Sequence, residues 1–443
     1  MSAFCLHRSF LLAVVLALGS TGAQAVGLQC SDDLPPTQGA ATPGADSDPR
    51  VQLEQLVDRA IRNSRTVGTA YLLKLAADSD YDEARAQHLP TATAGVSYAS
   101  IGSTSYGVTS KGRQTHGTFS VSMPVFDFGR IDKLIDWRRE LREAAQFGKI
   151  NAEEQIALQT VALALDRSRY TLQAQIYSQY TRRMSCLVDA LGIIVKADHG
   201  RASELLQAQK SLQEADLSYV QTTAALREVE IQLRHFVGDD LPPAAGMSSV
   251  LAQVPDLKQM EDDVMVASDI RAADAQARAQ RRYVESVQAG FKPSVSVALG
   301  SDKYLGAGAA VDWSAGISVN VPILQPGSTA NLTAALRRAQ AAELQRDDAI
   351  DAKRYRLRQM SDSAVSALDR EHRIVEILRN SERVRAFTLE QWRELGRRSL
   401  FDVMSAESDY YSMRVAQVNS LFDAEQVVAM MWSQGRGVMA PLR

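Results

Sequence analysis

Apolar and polar residues alternate with a period of two in Leu89–Ser100 and Gly117–Phe126, the pattern of half-buried strands. Residues 101–114 between them are rich in Gly, Ser and Thr and read as the long tip of a hairpin. Helical periodicity precedes the pair, from Val51 to about Gln87, with a break at Asn63–Ser64. It resumes at Ile131 and runs to about Lys196, roughly 65 residues and roughly 100 Å at 1.5 Å per residue. Gly200 interrupts it, and a further helix reaches about Val237. A linker at 238–249 follows, and then the order repeats. A helix covers about Leu257 to Ala289, strand text occupies 292–300 and 313–324, and helix runs from Gly327 to about Leu395. Residues 396–399 form a turn, and the last helix ends near Ser433.

The repetition extends to individual residues. Pro124 and Gly129 of PVFDFGRIDKL recur as Pro322 and Gly327 of PILQPGSTANL, 198 positions later. Glu204, Leu205 and Ala208 match Asp402, Val403 and Ala406 at the same offset. Pro90 and Pro293 lie 203 apart, a difference of five that a hairpin loop absorbs. The last helix of each half carries a seam with steps of three and four, Leu205, Ala208, Leu212, Ala215, Tyr219 and onward, echoed by Val403, Ala406, Tyr410 and Met413. Such a seam suits a coiled coil, and an ordinary helix bundle would use the same residues.

These patterns give a mostly helical α+β chain made of duplicated strand–strand–long helix–helix units. Residues 1–25 are expected as a signal peptide and 26–50 as a flexible linker. The first repeat is expected over 51–245, with its hairpin at 89–126 and helices at 130–196 and 203–237. The second is expected over 256–434, with its hairpin at 292–324 and helices at 328–395 and 399–433, before a short tail at 435–443.

The start of the chain narrows the compartment. His7 and Arg8 precede the apolar run Phe10–Leu18, and Ala23–Ala25 offer small residues for cleavage. This is the layout of a secretory signal, too short for a membrane span. Cys30 follows Gln29 rather than the small residue a lipoprotein signal requires, so no acyl anchor is expected. An exported compartment permits a disulfide, but Cys30 lies in linker text and Cys186 in a helix, so a free buried thiol is expected at Cys186. The net charge of −3 over 443 residues gives no basic field for nucleic acid. The six histidines are scattered, without HExxH or paired-cysteine spacing, so neither a metal nor a cofactor is expected. Gly306–Val311 resembles the start of a dinucleotide loop but has Val311 where the third glycine belongs. Glu407 and Asp409 read as helix neighbours, not an acid–base pair.

Four strands in an exported chain pose a closure problem. Strands at membrane depth must have no open edge, and the smallest closed barrels need about eight. Sharing between copies solves it, and three copies supply twelve. Tyr98, Phe119, Phe126, Phe128, Phe291, Tyr304 and Trp313 mark strand ends, and some of them suit an interfacial girdle.

The ordered pairing of PVFDFGR with PILQPGS, and of GRASELLQAQ with GRRSLFDVMSAESDYY, resembles the TolC family of outer-membrane efflux and secretion proteins. The resemblance covers about Val51 to Ser433. It implies a homotrimer with a twelve-stranded barrel in outer-membrane lipid and a long periplasmic helical tunnel. It also implies a periplasmic adaptor protein and an inner-membrane transporter of the ABC or RND type as partners. Asp402 then falls where an acidic residue lines the tunnel entrance, with Ser405 at a second, here uncharged, position. Arg398 falls where a basic residue helps hold the entrance closed. The turns Gly200, Arg201, Ser203 and Gly396, Arg397, Ser399 become candidate adaptor contacts; by themselves they read equally as helix-turn chemistry with serine caps. Pro124 and Gly129, with Pro322 and Gly327, become barrel-to-helix transitions, the prolines ending strands and the glycines letting the backbone swivel. Two departures stand out. The Asn-Pro often found after the first short helix is replaced by Asn63–Arg65 and Ala267–Asp269, and PILQPGS lacks the Asp and Arg of PVFDFGR.

The function expected is a passive exit duct, exporting polypeptide by type I secretion or, alternatively, small toxic molecules. A periplasmic adaptor or coiled-coil scaffold is the runner-up. An exported enzyme has no candidate constellation.

Overall fold

The computed structural model describes residues 48–105, 108–197, 199–242, 247, 250–251, 253–306, 310–392 and 398–442. The expected signal peptide, most of the linker and Cys30 lie outside them.

Helix α1 (Pro49–Asn63) starts at Asp48, whose carboxylate accepts from the Arg50 amide, and packs Leu53, Leu56, Val57 and Ala60 inward. Ser64 is extended and caps α2 (Arg65–Ala86) through its hydroxyl, which accepts from Val67 N. The break therefore persists without a proline. In the second half α5 (Leu257–Asp263) and a short 3-10 turn (Val264–Val266) are separated from α6 (Ser268–Ala289) by an extended Ala267. No side chain caps there; instead the Ser268 hydroxyl donates to Glu154 of the long helix at 2.6 Å.

The strands are β1 (Thr91–Ser105), β2 (Val108–Phe126), β3 (Ser294–Gly306) and β4 (Ala310–Asn320), in one antiparallel sheet of order β1-β2-β3-β4. The β1–β2 ladder continues to Ser105↔Val108, so most of the stretch read as a loop tip is paired strand. Pro124 does not end β2: the ladder to β3 shifts register between Pro124 and Phe126, and the strand runs two residues past the proline. A bulge admits the residue that cannot donate. Pro322 lies two residues beyond the end of β4.

The long helices are α3 (Arg130–Ala197) and α7 (Ser328–Glu390), followed by α4 (Ala202–Val237) and α8 (Leu400–Ser433). With 68 residues, α3 is roughly 100 Å long. The main core lies midway along it. Ile156, Val161 and Leu165 of α3 meet Leu56 of α1, Leu233 of α4, Met260 of α5, Ile270 of α6, Leu357 of α7 and Phe422 of α8. Val438 and Leu442, past the last helix, also pack there. Only every seventh residue of the upper and middle α4 seam is buried, namely Ala208, Ala215, Thr222 and Val229, which is the heptad row facing α3 and α8. Tyr219, on the other seam row, stays exposed.

Cys186 on α3 is disulfide-bonded, which corrects the expectation of a free thiol; its partner lies outside the described residues. Among the described residues no helix is long and apolar enough to cross a membrane.

Candidate functional site

The two ends of the molecule carry the candidate chemistry. At the end far from the sheet, the α3–α4 turn passes through a 3-10 segment, His199–Arg201. Arg201 precedes α4 without a side-chain cap bond, and Ser203 sits exposed inside the helix rather than capping it. The α7–α8 turn differs. Ser399 caps α8 reciprocally: its hydroxyl accepts from Asp402 N, and the Asp402 carboxylate accepts from Ser399 N, both at 3.2 Å. Gly396 and Arg397 lie outside the described residues.

Asp402 is thus engaged in holding the first turn of α8. Arg398 approaches the same carboxylate at 3.9 Å and donates to the Gln391 side chain at 3.2 Å, bridging the end of α7 to the start of α8. Ser405, one turn on, is exposed. Within one chain, then, Asp402 and Arg398 are brought together and Ser405 is not joined to them.

Beneath this turn lies an apolar cap made by all four long helices, with Met184, Leu187 and Leu191 against Ala208, Leu400, Val403 and Met404. Deeper by about a turn and a half of α8 is a buried charge layer that the sequence reading missed. Glu407 is fully buried. Its carboxylate accepts from Arg183 of α3 at 3.0 Å and from Arg385 of α7 at 3.5 Å. The Arg385 guanidinium lies 4.2 Å from the Tyr410 ring centre, and Tyr180 packs on Tyr411 with ring centres 4.9 Å apart. Burial raises the Tyr180 hydroxyl above its ordinary range. A carboxylate between two guanidiniums tolerates this burial, and removing either side leaves an uncompensated charge. The available signal was Glu407 beside the seam residue Ala406, a position too close to the helix interface for a solvated acid.

At the other end the sheet meets the helices. Phe128 and Gly129 have positive φ, +52° and +77°, and the Asp127 carboxylate accepts from the amides of Gly129 (3.1 Å) and Ile131 (2.9 Å), capping α3. Gly327 repeats the positive φ at +91°, but no side chain caps α7. The missing Asp of the second motif is therefore a missing cap.

The strands sort their residues cleanly by face. Val96, Tyr98, Phe119, Val297, Leu299, Trp313, Ile317 and Val319 share one face by register and are exposed, Val96 and Trp313 to more than four-fifths. The other face carries Thr93, Ser120, Ser122, Ser296, Ser314 and Ser318. Tyr304 belongs to this polar face, stacked on His116 at 4.3 Å, so it is not part of an outward aromatic girdle. His116 also reaches Asp302 at 2.8 Å. An exposed apolar face on a two-sided sheet is the inverse of a water-soluble domain and matches a sheet with lipid on one side and water on the other.

Neither the protein-family models nor the curated proteins contain a match. Solved structures do. CusC, a transmembrane channel, is similar over 86% of this chain and 91% of its own, with a TM-score of 0.77 at 17% identity. The outer-membrane protein VceC of Vibrio cholerae is similar over 87% and 96%, with a TM-score of 0.73 at 16% identity. The MtrE outer-membrane channel of Neisseria gonorrhoeae, in its open state, is similar over 86% and 88%, with a TM-score of 0.74 at 18% identity. Each likeness runs over most of both molecules, and the chain has the fold of the TolC family of outer-membrane channels.

Proposed function

We propose that the protein is the outer-membrane exit duct of a tripartite export system. Three copies close a twelve-stranded barrel in the outer membrane and continue it as a periplasmic tunnel. The observation that carries this reading is a four-stranded sheet with one bare apolar face, joined directly to helices roughly 100 Å long. A lone four-stranded sheet has two open edges that lipid cannot satisfy, and sharing strands between copies removes them. The duct supplies no chemistry; an inner-membrane transporter provides the energy, and an adaptor protein seats on the Gly200–Ser203 and Gly396–Ser399 turns. Asp402 and Arg398 line the closed entrance, with Ser405 softening its charge. Native mass of the purified chain in detergent tests the assembly: a heat-sensitive trimer is expected, and a monomer that needs no detergent would overturn it.

Polypeptide is the proposed cargo. The cysteines support a duct without a lipid anchor: Cys186 is disulfide-bonded, and of the two other cysteines Cys5 falls in the expected signal peptide. Pairing with Cys30 would use the remaining thiol that an acyl chain could occupy. Small-molecule efflux is the alternative. Deleting the gene separates them: retained secretory polypeptide supports the first, whereas sensitivity to small toxic compounds with normal secretion moves the reading to the second.

A further inference from the structure

The sheet segregates its charges as completely as its apolar residues. Its side chains with fixed positive charge are Lys111 and Arg113 on β2 and Lys303 on β3, and all three lie on the apolar face. Both carboxylates, Asp302 and Asp312, lie on the polar face opposite each other. Alternation alone separates Asp302 from its neighbour Lys303.

Position along the strands sharpens the pattern. Outward apolar residues on β3 run from Val295 to Leu305, roughly 34 Å of strand and, at the usual tilt, about the 25 Å height of a barrel's apolar band. Arg113 and Lys111 lie beyond that band, toward the hairpin tip. Lys303 sits in its upper part, opposite Gly117 and roughly 13 Å along β2 from Arg113. All three are exposed, and none has a carboxylate partner among the described residues. The helix end contrasts with this: Arg130 faces Asp127 at 3.9 Å, and Lys133 pairs with Glu285 at 2.7 Å. Cations are satisfied internally where the sheet enters the periplasm and left open at the far rim.

An unpaired cation on a lipid-facing surface is costly unless its head reaches polar headgroups. We propose that Lys111, Arg113 and Lys303 form a docking surface for the phosphorylated sugar headgroups of the glycolipid in the outer leaflet. Arg113 presents a fork that matches two phosphate oxygens, and the two lysines add point charges from either side. Gly117 leaves open the space beside Lys303, so its stem can lie along the sheet while the ammonium rises to the headgroups. A threefold barrel repeats the surface three times. The proposal rests on the outer-membrane duct reading above.

The test uses the full-length chain purified as an assembly in mild detergent and probed with bisphosphorylated lipid A, dephosphorylated lipid A and phosphatidylglycerol, with binding read by native mass spectrometry. The wild type is expected to favour the bisphosphorylated glycolipid, and affinity should fall about fivefold for each cation removed in K111Q, R113Q and K303Q. A charge-keeping variant, K111R with R113K and K303R, should stay much closer to wild type than the triple Gln variant. Unchanged binding by a Gln triple variant that still forms the heat-sensitive trimer overturns the surface. Equal binding of phosphatidylglycerol overturns the assignment to glycolipid. A wild-type chain that stays monomeric overturns the duct reading and the surface with it, whereas a stable trimer indifferent to phosphate overturns the surface alone.

Discussion

Helices α3 and α7 occupy equivalent places in the two repeats but live in different surroundings. Across its 68 residues α3 exposes one large apolar side chain, Ile193, among the described residues, because α1, α2, α4, α6 and α8 all pack against it. The 63 residues of α7 bury Ala335, Ala339, Leu357, Ala364, Ala367 and Thr388, and leave Leu336, Leu344, Tyr355, Val365, Ile377, Val384 and Phe387 bare. Intrinsic pattern does not separate the two helices; neighbours do. One helix is the spine of the protomer, and the other presents an unmet apolar surface of the kind that marks an interface.

Aspartate placed on each helix gives the largest contrast. Leu165→Asp buries a charge in the central core and should abolish the folded protomer, seen as loss of helical circular dichroism. Leu344→Asp falls on exposed α7 surface and should leave that signal intact while preventing the proposed trimer from forming. If Leu344→Asp leaves assembly unchanged, the bare face of α7 is not an interface.

Glu407 ties the spine to the bare helix, so removing it probes their coupling. Glu407→Ala removes the buried carboxylate that Arg183 and Arg385 both face and should cost about 3–5 kcal/mol in chemical denaturation. Arg385→Ala, which removes the longer and weaker contact, should cost less than Arg183→Ala.

Glu425 tests the central core in which both helices meet. It is fully buried on α8, and burial pushes its carboxyl up to about 8; the Leu251 backbone offsets only part of the rise, and neither oxygen makes a hydrogen bond of ordinary geometry. Below the ordinary value of 4.5 the folded and unfolded chains both hold this proton. From there up to about 8 only the unfolded chain releases it, so stability falls as pH rises through this window and levels off above it. Glu425→Gln should therefore stabilise the protein far more at pH 8 than at pH 5, by roughly 3 kcal/mol. Equal melting shifts at the two pH values would show that the carboxyl is solvated.

The smallest effect belongs to the tip of the bare helix pair. Asp402→Ala removes half of a reciprocal cap and should cost about 1 kcal/mol. The same change should reduce the cation preference of single-channel conductance. Lost stability with unchanged selectivity would reduce Asp402 to its capping role.

Much of the fold was legible because its signals are local. The period-two stretches, the glycines at 129 and 327 and the shared offset of 198 gave the order of elements before any contact was known. The hairpin tip was misread because Ser and Thr suit loops and paired strands alike, and only the partner strand decides. Pro124 was misplaced as a terminator because a bulge is invisible in one strand's text. The candidate entrance rests on the resemblance to a family, and the residues alone do not show the buried layer beneath it: Arg183 and Glu407 are 224 residues apart and meet only through the packing of α3 on α8. The bond at Cys186 is not legible in the sequence, because a lone cysteine in helical text gives no sign of a partner.

The two sheet-to-helix joints differ by one carboxylate. Asp127 clamps the start of α3 through two amides, whereas α7 begins on Gly327 with no such clamp. A ring of three copies would alternate stiff and compliant mounts around its rim, six in all but only threefold in mechanical symmetry. Bending of the tunnel against the barrel would then be taken up at the α7 mounts, and the α3 mounts would act as the fixed bearings. Such a tube yields in preferred directions while its bore stays aligned with the membrane pore.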